Sequence, residues 1–328
     1  MTGEILNGVR CINKKVFVSF ICTIAVSVLS ACGNSAYSLS YSVENYHGTN
    51  QNIYYDTFAS DLCVVNEDIL SDSMTMSEAS CGGLFDLNNR ETLYAVNVNA
   101  QLSPASLTKV MTALVALKYG SLDQRLTASS NVYVTESGAQ KIGLKEGDTM
   151  TLDQALRILL IYSANDVANL IAENIGGSIE GFADMMNQEA QAIGATKSHF
   201  VNPHGLTAED HYTTPYDMYL IFNAAMQYDT FQEIIAMTEY TTVYYNADGE
   251  SQEKTVKSTN LYSQGTQTAP SNITVIGGKT GTTNAAGHCL ILLARDNSSN
   301  PYIAVIMRAE SSDVLYNEMT NLLQEIVN

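Results

Sequence analysis

The sequence is short of positive charge: 16 Lys and Arg stand against 34 Asp and Glu among 328 residues, a formal net charge of −18. No basic stripe is left to neutralise phosphates, which excludes a nucleic-acid partner. No Cys-x-x-Cys pair occurs among the six cysteines, so neither a zinc ribbon nor a thioredoxin-like redox motif is supported. His-Glu-x-x-His and Gly-x-Ser-x-Gly are also missing, and without them His204 and His211 do not support a metal centre or a Ser-His-Asp triad. No metal and no cofactor is expected. The leading apolar run, Val16 to Leu29, is too short to favour a membrane-spanning helix. No internal repeat is visible. What the chain does have is apolar mass: 45% of its residues are hydrophobic, enough for a real core, so it is not a disordered chain.

The first 32 residues differ in texture from the rest. Arg10, Lys14 and Lys15 precede the apolar run, and Leu29-Ser30-Ala31-Cys32 follows it. A basic segment, a short apolar segment and small residues before a cut make a secretory signal over residues 1–31. The ending resembles the lipobox of bacterial lipoproteins, in which the signal is removed before the cysteine and the thiol carries a diacylglycerol. That resemblance implies a lipidated Cys32 on the outer face of a bacterial cytoplasmic membrane; the alternative is an ordinary signal peptide with an incidental cysteine. Without residues 1–31, 13 Lys and Arg face 33 Asp and Glu, a net charge of −20. Residues 32–60 are rich in Ser, Tyr, Asn and Gln with no apolar period, and read as a tether with a reach of roughly 30 Å. The remaining cysteines are Cys63, Cys81 and Cys289. The first two could pair outside the cell or remain small apolar residues, and Cys289 reads as core.

Residues 61–328 form the expected folded domain. Two strand-like runs flank Asn88-Asn89-Arg90 as a hairpin. Helix signals follow: Ser103 to Tyr119 with Ser103 as cap and Pro104 as first helical residue, then a capping box at Thr151 and Gln154, then Thr214 and Pro215 opening a further helix. After residue 236 the pattern returns to strands, with turns at Asp248-Gly249 and at Asp296 to Pro301, and an amphipathic helix closes the chain. Strands at both ends with helices between them predict an α/β protein of the α+β type. One antiparallel sheet would be built from the N- and C-terminal segments, with helices on both faces and an all-helical subdomain inserted.

Chemistry concentrates at three points. In Ser103-Pro104-Ala105-Ser106-Leu107-Thr108-Lys109, a helix would put the Ser106 hydroxyl and the Lys109 amine on one face, with the Ser106 N–H among the unpaired donors of the first turn. Ser-x-x-Lys alone decides nothing, because it recurs at Ser251 and Lys254 in a strand-like segment. Ser-x-Asn occurs at Ser129, Ser163, Ser258 and Ser298, but only Ser163-Ala164-Asn165 joins two strongly apolar helices, where packing can present polar groups rigidly. Lys279-Thr280-Gly281 occurs once, on a strand, with glycines before it that let a ligand backbone approach.

Ser-x-x-Lys, Ser-x-Asn and Lys-Thr-Gly in this order are the set found in penicillin-binding proteins and class A β-lactamases. Together with Asn202-Pro203-His204-Gly205-Leu206 and Thr213-Thr214-Pro215-Tyr216-Asp217-Met218, the sequence from about residue 80 to the end resembles the low-molecular-mass penicillin-binding proteins that are serine D-alanyl-D-alanine carboxypeptidases. The resemblance implies that Ser106 attacks the carbonyl between two D-alanines of a peptidoglycan stem peptide and that Lys109 takes its proton. It implies that Ser163 relays a proton to the leaving amine, and that Asn165 orients Lys109 and the substrate amide. Lys279, with Thr280 and Thr282, would hold the substrate carboxylate, Gly281 would admit the ligand backbone, and the N–H groups of Ser106 and Thr282 would bind the oxyanion. β-Lactam antibiotics would acylate the same serine. Lys109 must then be neutral, although a free lysine titrates near ~10.4, so burial and a second cation, Lys279, must lower its pKa. His204 would be structural or lie near the substrate. A β-lactamase-like hydrolase fits less well, since no Glu-x-x-Leu-Asn occurs between Asn165 and Asn202 and Ala164 stands where class A enzymes carry Asp. A non-catalytic β-lactam sensor of the same fold is the other alternative. Many relatives continue into a β-rich domain and a C-terminal amphipathic anchor; here Cys32 is expected to supply attachment from the other end.

Overall fold

The computed structural model describes residues 61–327. The expected signal, Cys32 and the tether lie outside them. Nine strands form two antiparallel sheets. β1 (Cys81–Asp86), β2 (Glu91–Val96), β7 (Ile273–Thr283), β8 (Gly287–Asp296) and β9 (Pro301–Ala309) make a five-stranded sheet in the order β2-β1-β9-β8-β7. The two ends of the chain therefore share one sheet, and β9 sits at its centre between β1 and β8.

Strict alternation along these strands explains why both faces are covered. Cys289, Ile291 and Leu293 of β8, with Ile303, Val305 and Met307 of β9, turn to the large core under the helical insertion. Leu290, Leu292, Ala304 and Ile306 turn the other way, onto Leu315, Met319, Leu322 and Leu323 of the C-terminal helix. A strand buried on both faces reads as an unbroken apolar run, which is how β8 and β9 look in the sequence.

Seven helices accompany the sheets among the described residues: α1 (Thr108–Tyr119), α2 (Leu152–Tyr162), α3 (Asn165–Gly176), α4 (Ile179–Ala192), α5 (Pro215–Ala225), α6 (Asp229–Ile235) and α7 (Ser312–Gln324). The capping box of α2 is complete, with Thr151 Oγ1 accepting from Gln154 N–H and the Gln154 side chain accepting from Thr151 N–H. Thr214 caps α5 ahead of Pro215. α1 is the central helix: every residue from Thr108 to Ala116 is buried, Lys109 included.

Two sequence expectations are corrected, and an alternative left open for two cysteines is resolved. The insertion is not all-helical, because β3 (Arg125–Thr127) and β4 (Thr149–Thr151) lie in it and pair on with the hairpin β5 (Glu239–Tyr245) and β6 (Ser251–Lys257) as a second sheet. β3 and β4 are three residues each, too short for an alternation to show. Ser103 does not cap α1: Ala105 takes the left-handed conformation at φ 46°, a 3-10 turn spans Ala105–Leu107, and α1 begins only at Thr108. Cys63 and Cys81 do not pair; both thiols are free and buried, as is that of Cys289.

Candidate active site

The short turn ahead of α1 still carries the side chains as a helical turn would. Lys109 Nζ donates to Ser106 Oγ at 2.9 Å across a three-residue spacing. It also donates to Asn165 Oδ1 at 2.8 Å and to the backbone carbonyl of His204 at 2.5 Å. The latter two oxygens can only accept. A neutral amine has two N–H bonds and one lone pair, so once both acceptors are filled the lone pair is left facing the Ser106 hydroxyl. The arrangement is that of a base aimed at a nucleophile. Burial holds the Lys109 amine well below the ordinary lysine value, the Lys279 ammonium lowers it further, and the Asp166 carboxylate opposes them.

Ser163 and Asn165 reach the site through the joint between α2 and α3. Ser163 ends α2 in the left-handed conformation, φ 68°, and α3 begins two residues later. Neither side chain caps α3. Asn165 is instead fixed from behind, its backbone N–H and its Nδ2 both donating to the Gln140 carbonyl, at 2.8 and 3.1 Å. Lys279, on β7, is not a solvated strand lysine: it is 1% exposed, and its Nζ donates to Ser163 Oγ at 2.9 Å and to the Thr280 carbonyl at 2.7 Å. Burial brings its pKa down to about 7.

These groups border a cleft of about 780 Å³, lined by Ser106, Ser163, Asn165, Thr280, Gly281 and Thr282 among others. Every residue singled out in the three motifs is therefore in or directly behind one cavity, whereas Ser251 and Lys254 sit away from it on β6. β7 is an edge strand of its sheet, and it runs close beside the 3-10 turn that carries Ser106. A Cβ built at Gly281 would lie 3.0 Å from Ser106 N and 3.1 Å from Leu107 N. Gly281→Ala is thus expected to push β7 off the Ser106 N–H, and to cost about 10²-fold in any acylation for which that N–H serves as an oxyanion donor. A stopped-flow comparison with a fluorescent penicillin checks this, and an unchanged rate would show that the strand yields.

Several contributors have no signature in the sequence. The carbonyls of Gln140 and His204 position Asn165 and Lys109, and backbone oxygens carry no letter. The His204 carbonyl is set by a turn that Asn202 brackets: its Oδ1 accepts from Gly205 N–H at 2.7 Å and its Nδ2 donates to the Leu206 carbonyl at 3.0 Å. Gly205 adopts φ 85°, and a Cβ there would meet the Ala105 carbonyl oxygen. His211 accepts from Val201 N–H through Nδ1, so its Nε2 proton goes to Thr108 Oγ1 at 2.9 Å and ties the same turn to α1. Burial pushes His204 down to about 3 and His211 to about 4, so both rings are neutral supports. Asp166 accepts from the N–H groups of Ile142, Gly143, Leu144 and Val167 and so fixes the loop that carries Gln140. Among the described residues no group of three or more His, Cys, Asp and Glu is placed to hold a metal ion.

The buried lysines also make stability depend on pH. Lys279 titrates near 10.5 when unfolded and near about 7 when folded, so between those values the unfolded chain binds more protons. The unfolding free energy should therefore rise with pH across that window and be flatter in Lys279→Gln. Urea titrations at pH 7, 8.5 and 10 read the slope, and equal slopes in the two proteins would contradict the assignment.

Comparison with known proteins points one way. A model of the D-alanyl-D-alanine carboxypeptidase family, Peptidase S11, matches residues 43–311. The chain is 31% identical over 249 residues to D-alanyl-D-alanine carboxypeptidase DacF of Bacillus subtilis, covering 75% of this chain and 61% of DacF. It is 36% identical over 203 residues to DacB2 of Mycobacterium tuberculosis, covering 61% of this chain and 65% of that one. It thus spans about three-fifths of the length of the curated relatives it matches. The crystal structure of the Streptomyces K15 DD-transpeptidase superposes with a TM-score of 0.68 at 26% identity, over 77% of this chain and 98% of that one.

Proposed function

The chain belongs to the D-alanyl-D-alanine carboxypeptidase family, and from that premise we propose that it removes the terminal D-alanine from peptidoglycan stem peptides through an acyl-enzyme on Ser106. One observation carries the reading: Lys109 is wholly buried, and its amine is shared between the Ser106 hydroxyl and two oxygens that can only accept. Its lone pair takes the Ser106 proton as Oγ attacks the carbonyl between the two D-alanines. The negative charge that develops on that carbonyl oxygen falls to the N–H groups of Ser106 and Thr282, each worth about 3 kcal/mol in such a site. Ser163, held by Lys279, passes a proton to the departing amine, and terminal D-alanine leaves. Lys279, with Thr280 and Thr282, attracts the carboxylate of the substrate. Water then breaks the Ser106 ester, and the free stem peptide leaves with one alanine fewer.

A β-lactam would open on Ser106 in the same way. With no Glu-x-x-Leu-Asn segment between Asn165 and Asn202, the acyl group is expected to persist, which makes the protein a target of the drug and not its destroyer. The structural likeness to a DD-transpeptidase favours a second reading, in which an amine in place of water accepts the acyl group. Incubation of the purified protein with fluorescent penicillin, and separately with a peptide ending in D-alanyl-D-alanine with and without an added amine, decides among these. Labelling of Ser106 without any D-alanine release would leave only a sensor.

The proposal extends to location: cleavage before Cys32, a diacylglycerol on its thiol and attachment to the outer face of the membrane, supported by Leu29-Ser30-Ala31-Cys32 after the apolar run. Cells fed radiolabelled palmitate should label the wild-type protein but not Cys32→Ser. Label retained by the variant would rule the anchor out.

A further inference from the structure

Thr259 borders the cleft but belongs to none of the sequence motifs. It lines the cavity together with Thr280, and the two hydroxyl oxygens lie 2.5 Å apart although 21 residues separate them in the chain. Its position is fixed by hydrogen bonds on every side. Thr259 N–H donates to the Ile161 carbonyl near the end of α2, and both of its chain neighbours are buried. Before it, Ser258 N–H donates to the Thr238 carbonyl, and the Ser258 carbonyl accepts from Gln264 Nε2 at 2.7 Å. After it, Asn260 Oδ1 accepts from Tyr262 N–H, and Leu261 N–H donates to the Tyr316 hydroxyl of α7. A half-buried hydroxyl is thereby held against Thr280 by α2 on one side and α7 on the other.

A hydroxyl has one proton and two lone pairs, so of two hydroxyls in contact one donates and the other accepts. Among the described residues neither Thr259 Oγ1 nor Thr280 Oγ1 has another partner. If Thr280 donates, it turns a lone pair to the cleft; if Thr259 donates, the Thr280 proton is free for a ligand. A carboxylate only accepts, so it fits the second state alone. Lys279 is 1% exposed and spends two of its N–H bonds on Ser163 Oγ and the Thr280 carbonyl, so it supplies charge from behind and leaves the direct hydrogen bond to Thr280. From this we propose that Thr259 is a positioning residue: it donates to Thr280 Oγ1, Thr280 in turn donates to the terminal carboxylate, and the two hydroxyls together set the preference for substrates that end in a free carboxylate. The inference rests on the carboxypeptidase reading above and adds to it the residue that turns the Thr280 proton toward the substrate. Each hydroxyl in such a chain polarises the next, so the gain is realised only when the acceptor is bound.

The test compares a peptide ending in D-alanyl-D-alanine with the same peptide carrying an ethylamide in place of its last residue, which keeps the bond that is cut and lacks the carboxylate. Thr259→Val removes the hydroxyl and keeps the branched shape. In this variant KM for the first peptide should rise about five-fold, the size of one hydrogen bond lost from binding, while kcat changes by less than about two-fold. Thr259→Ser should restore the wild-type value. Calorimetry on Ser106→Ala, with and without Thr259→Val, should show the same weakening for the carboxylate peptide and none for the ethylamide. On a Thr280→Val background, Thr259→Val should change nothing further, because a residue that acts through another is not additive with it. Equal weakening of the two peptides, a loss that Thr259→Ser does not restore, or a further loss on Thr280→Val would each overturn the role of Thr259. Failure of the wild type to release D-alanine would instead overturn the hydrolase reading, while the affinities on Ser106→Ala still decide the role of Thr259.

Discussion

Ser106→Ala is expected to abolish covalent labelling by penicillin and to lower D-alanine release by about 10⁴-fold or more, with the melting temperature essentially unchanged. The reasoning is local. Among the described residues Ser106 Oγ makes one hydrogen bond, to the Lys109 amine, and the core under the turn is formed by Ala105 and Leu107, not by Ser106. Removal of one oxygen leaves Lys109 with its two carbonyl acceptors and leaves the Ser106 N–H in place. The variant should therefore still bind the peptide and merely fail to react. Mass spectrometry of the intact protein after incubation with penicillin reads the result directly. An added mass equal to the drug on Ser106→Ala would mean that another side chain is the nucleophile, and the whole account of the cleft would fall.

Lys109→Ala should reach nearly the same loss, about 10³-fold or more in acylation, because general-base help and nucleophile activation go together. Its pH dependence is the sharper half of the prediction. In the proposed mechanism Lys109 acts only when neutral, so acylation by the wild type should rise as pH climbs through its lowered pKa. Lys279 contributes to that lowering, and Lys279→Gln should let the Lys109 pKa rise, moving the acid limb to higher pH. In the proposed mechanism the same variant also loses the cation for the substrate carboxylate, so KM for the peptide should rise as well. In the wild type, kcat/KM for a peptide should also decline above about 7 as free Lys279 loses its proton. An acid limb that stays where it was in Lys279→Gln would show that the two lysines do not feel each other.

Much of this geometry could be read in the letters, for a physical reason in each case. Ser106 and Lys109 are three residues apart, and helical and 3-10 turns alike bring such a pair together, so the error about where α1 begins did not disturb the pairing. The alternation in β8 and β9 and the cap residues of α2 and α5 are strong signals because burial and unpaired N–H groups leave few choices. What the letters hid was of two kinds. Backbone atoms, such as the carbonyls of Gln140 and His204, are placed by the path of the chain and by turns such as the one Asn202 brackets. Conformations against local preference, such as φ 46° at Ala105, whose carbonyl lies close against Gly205, cannot be inferred from an alanine.

The central place of β9 has a consequence for how the protein comes into being. Cys81 pairs with Met307, near opposite ends of the described chain, and β9 separates β1 from β8. Until the ribosome has delivered that strand, β1 has no neighbour on its inner side and β8 lacks one as well, so neither face of the sheet can be closed. Long-range pairing of this kind is slow to nucleate, because the loop must close before any contact rewards it. A nascent chain of this sequence is thus obliged to remain loose until β9 has emerged. That delay is the condition under which a polypeptide can still be threaded through a narrow channel, and it means that loss of β9 would leave the large sheet open between β1 and β8.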